Sequence, residues 1–114
     1  MNNCPFCDII KGEVKGDIVY QNGSVVAFKD INPKAPVHIL VVPRKHIATL
    51  LDVGEADKTL MGDVFSTIAQ LAKDQGISRG GFRVVANCGP GAGQSIYHMH
   101  FHLLGGRPLS WPPG

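Results

Sequence analysis

Three histidines, His98, His100 and His102, alternate with apolar Met99, Phe101 and Leu103 near the end of a 114-residue chain that holds five histidines in all. Alternation is the side-chain period of a β-strand, so the imidazoles share one face and the apolar groups the other. A lone histidine on a sheet face is most often structural. A row of three, titrating near neutral pH, is a plan for chemistry or for a metal. An unprotonated imidazole nitrogen is a competent nucleophile toward phosphorus, and neighbouring rings can orient it or carry protons. His100, flanked on both sides, is the expected nucleophile.

Immediately upstream runs Asn87-Cys88-Gly89-Pro90-Gly91-Ala92-Gly93-Gln94-Ser95. Glycines let a backbone approach an anionic oxygen closely, and Gln94 and Ser95 add side-chain donors beside His98 and His100. The stretch lacks the Gly-Lys-Ser/Thr of a Walker loop and opens a strand, not a helix. Cys4 and Cys7 form a Cys-x-x-Cys pair, a usual half of a zinc site. His38, His46, His98 and His102 are the candidate partners. No thioredoxin-like pattern surrounds the pair, which argues against a redox role. Cys88 reads as a small half-buried apolar residue.

The elements that must position these groups follow from the pattern. Cys4 to Ile10 reads as one or two helical turns stopped by Gly12. Ile18 to Tyr20 and Val25 to Phe28 are strands joined at Asn22-Gly23, a strong hairpin signal. The two prolines of Asp30-Ile31-Asn32-Pro33-Lys34-Ala35-Pro36 bar a helix there. Val37 to Val42 is a central strand ended by Pro43. Asp52 with Glu55 resembles a capping box opening a helix on which Leu60, Val64, Ile68 and Leu71 share a face. Gly76 closes that helix. Asp57, Lys58, Asp63, Gln70 and Lys73 are expected to face water. Phe82 to Ala86 and Ile96 to Leu104 complete five strands. The order β-β-β-α-β-β predicts one α+β domain over residues 1–114: a mostly antiparallel sheet with one main helix.

Composition agrees with that plan. The hydrophobic fraction is 44%, the charged fraction 18% and the net charge +2, too small to argue for nucleic acid or an anionic membrane. No apolar run approaches the roughly 20 residues of a membrane span. The start carries no signal-peptide pattern, and three cysteines do not suggest a disulfide framework, so a cytoplasmic location is expected.

Taken together these residues resemble the histidine triad (HIT) family, whose signature is His-φ-His-φ-His-φ-φ with φ apolar. Residues 98–104 match it fully. The resemblance extends through Asp30-Ile31-Asn32-Pro33, Ala35 to His46, Asn87 and Gly93-Gln94-Ser95. The ending, Gly105-Gly106-Arg107 and Trp111-Pro112-Pro113-Gly114, resembles the Hint branch, nucleoside phosphoramidases acting on adenosine or guanosine 5′-phosphoramidates.

The resemblance implies roles residue by residue. His100 matches the nucleophile that carries a covalent nucleotidyl group, and His102 the residue contacting the α-phosphate. His38 matches a fourth histidine in the neighbouring strand. Asn87, Gly93, Gln94 and Ser95 match the loop that contacts phosphate and leaving group. Asp30 matches the carboxylate holding the ribose, with Phe28 and Ile31 in the base pocket. The family's zinc pattern falls on Cys4, Cys7, His46 and His98, implying a structural metal that catalysis does not require. Such proteins are homodimers whose two sheets join into one larger sheet. The implied reaction is hydrolysis of a purine nucleoside 5′-phosphoramidate of the AMP-amine or AMP-lysine type. Dinucleoside polyphosphate hydrolysis in the same family, or a nucleotide-binding interaction module, are the alternative readings.

Overall fold

The apolar run Val37–Pro43 becomes the centre of a five-stranded antiparallel sheet. A computed structural model of the protein describes residues 4–114. The elements are α1 (Pro5–Lys11), β1 (Ile18–Gln21), β2 (Val25–Lys29), β3 (Val37–Pro43), α2 (Lys58–Asp74), β4 (Phe82–Val85) and β5 (Phe101–Gly105). Sheet order is β1-β2-β3-β5-β4, antiparallel at every pairing. The expected class, strand number and single main helix are all present. Among the described residues no helix is long and apolar enough to cross a membrane.

Alternation divides the sheet into two apolar layers. Val25, Ala27, Ile39, Val41, Phe101 and Leu103 point to one face, where Val64, Ile68 and Leu71 of α2 cover them. Val26, Phe28, Leu40 and Val42 point to the other, where Phe6 of α1 packs. Strand register then builds rows on this second face. Phe28 pairs with Leu40, Leu40 with His102 and His102 with Val85; beside that row His38 pairs with Leu104 and Leu104 with Arg83. Two histidines and an arginine are thus delivered to one surface by register alone.

Several boundaries differ from expectation. The last strand begins at Phe101, not Ile96, so His98 and His100 lie in irregular backbone before it. The alternation survives without the ladder, because Met99 still turns into the helix-side core. Helix α2 begins at Lys58, and the capping box belongs to a preceding 3₁₀ turn, where Thr49 caps and Asp52 closes back on it. Asp57, expected in water, is buried and accepts from Lys45 Nζ at 2.6 Å and Gly54 N–H at 2.9 Å. The bond from Lys45 holds its carboxyl below the usual carboxylate range. Gly12 and Gly76 do terminate their helices, at φ +78° and +74°. The hairpin forms at Asn22, whose side chain accepts from the N–H of Ser24 and of Val25.

Candidate active site and metal centre

A cleft of about 780 Å³ opens over the Phe28–Leu40–His102 row. His100 and His102 line it, with Asp30, Ile31 and Asn32 on one side and Asn87, Gly93 and Ser95 on another. Its far wall is α1, through Pro5, Phe6 and Ile9. Phe6 is 5% exposed and meets two rings edge-on, Phe28 at 5.2 Å and His100 at 5.0 Å between centroids. The cleft is therefore apolar at one end and lined with hydrogen-bonding groups at the other, a shape suited to a base joined to a charged group.

Hydrogen bonds fix how each imidazole presents itself. His100 Nδ1 lies 2.8 Å from the His98 carbonyl, an acceptor, so Nδ1 carries the hydrogen. In the uncharged ring Nε2 then keeps its lone pair, the form a nucleophile needs. The backbone N–H of Lys34 donates to His38 Nδ1 at 3.0 Å, which puts the hydrogen of His38 on Nε2. That Nε2–H faces His102 Nδ1 at 2.9 Å, with Asp30 Oδ2 at 3.4 Å. His102 in turn holds its hydrogen on Nε2 and is a donor. Burial lowers His38 below the ordinary histidine value. Burial, reinforced by His100 and His38, takes His102 down to about 4. One nitrogen with a free lone pair and one that carries a hydrogen thus stand on adjacent rings, whose centroids are 5.1 Å apart.

His98 does something different. It is fully buried, and its Nε2–H donates to the Pro43 carbonyl at 2.8 Å. Its Nδ1 lone pair faces Cys4 Sγ at 3.4 Å, Cys7 Sγ at 3.5 Å and His46 Nδ1 at 3.2 Å. Cys7 Sγ lies 3.4 Å from His46 Nδ1, and all four ligand atoms fall within 4.8 Å of one another. Zinc bonds of about 2.0–2.1 Å to nitrogen and 2.3 Å to sulfur make tetrahedron edges of about 3.3 Å between nitrogens and 3.6 Å from nitrogen to sulfur. The observed separations match those edges. Partial burial, and then Cys4 beside it, push the Cys7 thiol up to about 11. A cation at the centre would reverse that and bind the thiolates. The carbonyl behind His98 is the outer partner that orients a metal-bound imidazole. Of the four histidines open as partners for the cysteines, the structure brings His46 and His98 to them and leaves His102 in the cleft with His38 bonded behind it.

Gln94 departs from its expected role. It is 5% exposed, and its carboxamide is fully engaged: Oε1 accepts from Gly89 N–H, and Nε2 donates to the Ala48 and Ile96 carbonyls. No donor remains for a ligand, so Gln94 shapes the loop that carries Gly93 and Ser95. Gly93 itself adopts φ +88°, open to glycine. Sequence reasoning missed Phe6, Ile9 and Leu40 as cleft residues. The signal for Phe6 was present, since it stands between the two cysteines.

The HIT domain family model matches residues 11–109. An uncharacterized HIT-like protein of Synechococcus elongatus is 47% identical over 109 residues, 96% of this chain and 95% of that one. The purine nucleoside phosphoramidase of Escherichia coli is 44% identical over 104 residues, 91% of this chain and 87% of that one. The crystal structure of a HIT family hydrolase from Legionella pneumophila superposes with a TM-score of 0.97 at 46% identity, covering 98% of this chain and 100% of that one.

Proposed function

The chain belongs to the histidine triad family, and we propose that it is a hydrolase of purine nucleoside 5′-phosphoramidates, acting through a nucleotidyl group held on His100. The observation that carries this reading is the pair of opposed tautomers: His100 Nδ1 engaged by the His98 carbonyl, and His102 held as a donor by His38. The Escherichia coli relative, named a purine nucleoside phosphoramidase, supports the substrate class.

In this mechanism the purine enters between Phe6, Ile9, Phe28 and Ile31, and Asp30 takes the ribose hydroxyls. The α-phosphate sits among His100, His102, Asn87 and Ser95. His100 Nε2 attacks phosphorus as the phosphorus–nitrogen bond breaks, and the departing amine takes a proton from solvent by way of the Ser95 hydroxyl. The N–H of His102 and the groups of the Gly93–Ser95 loop stabilise the negative oxygens, where most of the catalysis lies. Water then attacks the same phosphorus, releases His100 and returns the proton. His38 acts through His102.

Zinc at Cys4, Cys7, His46 and His98 would have four protein ligands and no open position, a structural role that ties α1 to the catalytic segment. A homodimer is part of the same proposal. Strand β4 is an open sheet edge and leaves Phe82 40% exposed, the liability that pairing with a second copy removes.

The test is turnover of an adenosine 5′-phosphoramidate by wild type and His100→Gly. Wild type should release AMP and accumulate nucleotidyl-enzyme on rapid quench. His100→Gly should bind AMP without turnover. Retained turnover in that variant rejects the mechanism.

A further inference from the structure

The two sulfurs of the four-ligand cluster are unequally placed. Cys4 is 6% exposed and His98 fully buried, whereas Cys7 is half-buried and His46 exposed. One side of the cluster therefore opens to solvent through Cys7. Helix α1 packs on β2 and β3, and β4, the edge where a second copy would pair, lies beyond β5, so that pairing leaves Cys7 accessible.

Both cysteines are free thiols. Cys4 stands at the N-cap of α1 in extended backbone, and the Cys7 N–H donates to its sulfur at 3.3 Å. The two sulfurs lie within 4.8 Å of each other. A disulfide needs its sulfurs at about 2.05 Å and its Cα atoms about 4.4–6.8 Å apart, a span natural to residues three apart on one helical turn. The pair can close with little movement of the backbone.

The two states of the pair tie α1 to different partners. Around a metal, Cys4 and Cys7 are joined to His98 and His46, 94 and 39 residues along the chain. Bonded to each other, they close a loop only three residues long, within α1 itself. The constraint a cross-link places on a chain grows with the loop it closes. Oxidation thus exchanges a long-range tie for a local one. The segment released carries Phe6, whose ring stands edge-on to His100 at 5.0 Å.

Given the structural zinc proposed above, we propose that Cys4 and Cys7 are a peroxide-sensitive dithiol whose oxidation ejects the metal and opens the nucleotide cleft. The Cys7 thiolate attacks hydrogen peroxide: a sulfur–oxygen bond forms, the oxygen–oxygen bond breaks, and hydroxide leaves behind a sulfenic acid. The Cys4 thiolate then attacks the Cys7 sulfur, forming the disulfide and expelling a second hydroxide. Two electrons pass from the sulfurs to the peroxide. Only the neutral imidazoles of His46 and His98 remain to the metal, which dissociates. A dithiol reductant returns the two electrons by exchange and becomes a disulfide itself.

The experiment treats the full, zinc-loaded chain with hydrogen peroxide. Free zinc is read with a chromogenic chelator, cysteine state by peptide mapping, AMP affinity by calorimetric titration and turnover on an adenosine 5′-phosphoramidate. One zinc should be released per Cys4–Cys7 disulfide formed, and the Kd for AMP should rise about tenfold or more. Dithiothreitol with added zinc should reverse both. Zinc retained under peroxide, a sulfinic acid or a bond to Cys88 in place of the Cys4–Cys7 disulfide, or zinc released with AMP affinity unchanged overturns the switch. Protein that takes up no zinc overturns the switch together with the structural metal and leaves the hydrolase reading standing. Reduced protein that binds AMP but cleaves no phosphoramidate overturns the hydrolase reading and leaves the switch. Reduced protein that binds no AMP overturns both.

Discussion

If the proposed zinc is bound, stripping it should loosen nucleotide binding, because two of its four ligands, Cys4 and Cys7, belong to the short segment that walls the apolar end of the cleft. Helix α1 has seven residues, and Cys4 and Cys7 bracket Phe6. Ordering seven residues costs about 7–14 kcal/mol of backbone entropy at about 1–2 kcal/mol each. Burying Phe6, Ile9 and Ile10 returns about 1.5–3 kcal/mol for a side chain buried in full. Phe6 is buried nearly in full, but Ile9 and Ile10 only in part. Apolar burial together with the helix's own bonds therefore leaves α1 near balance without further ties. Structural zinc contributes on the order of 10 kcal/mol in small domains, more than enough to decide the matter. If the closed wall falls to a tenth of the population or less, the apparent Kd for AMP rises about tenfold or more. The assay is calorimetric titration of AMP into protein as purified, into chelator-treated protein, and into treated protein reloaded with zinc. Elemental analysis should give about one zinc per chain before treatment. Cys7→Ser should behave like the stripped protein, and reloading should not restore it. Stripped protein with unchanged AMP affinity and unchanged melting would refute the reasoning.

Three further outcomes follow from the same geometry. His38→Ala removes the donor that fixes the His102 tautomer; kcat should fall by roughly 10–100-fold while AMP binding changes little, measured by steady-state kinetics beside titration. His102 titrates at about 4 in the folded chain against 6.5 for an ordinary histidine. Its folded value is depressed, so the unfolded chain binds the proton first. The stability it contributes is full above about pH 6.5 and lost as pH falls toward about 4. Denaturant midpoints across that window should slope less in His102→Gln than in wild type; parallel slopes would contradict the assignment. Leu103 is fully buried under α2, so Leu103→Ala should lower stability by about 2–5 kcal/mol in urea unfolding.

The parts of the site that were legible in the sequence are those governed by period and register. Histidines at alternate positions had to share a face opposite Met99, Phe101 and Leu103, and they do, although only His102 stands in the ladder. Period constrains side-chain direction even where hydrogen bonding between strands stops. What period cannot reveal is where each imidazole's second nitrogen goes. His98, His100 and His102 look equivalent in the sequence. In the fold they bond the carbonyls of Pro43 and His98 and the ring of His38 respectively, which fits them to the proposed roles of metal ligand, nucleophile and donor. Gln94 was misread for a related reason: residue type shows that a carboxamide has donors, and only the folded loop shows that Ala48 and Ile96 have already taken them. Asp57 was misread because its partner, Lys45, lies outside the helix whose spacing placed it in water. In each case the missing information is a contact distant in sequence. Phe6 is the opposite case. Its place between two cysteines already stated that whatever binds them also fixes the ring at 5.0 Å from His100, the coupling on which the metal-removal experiment bears.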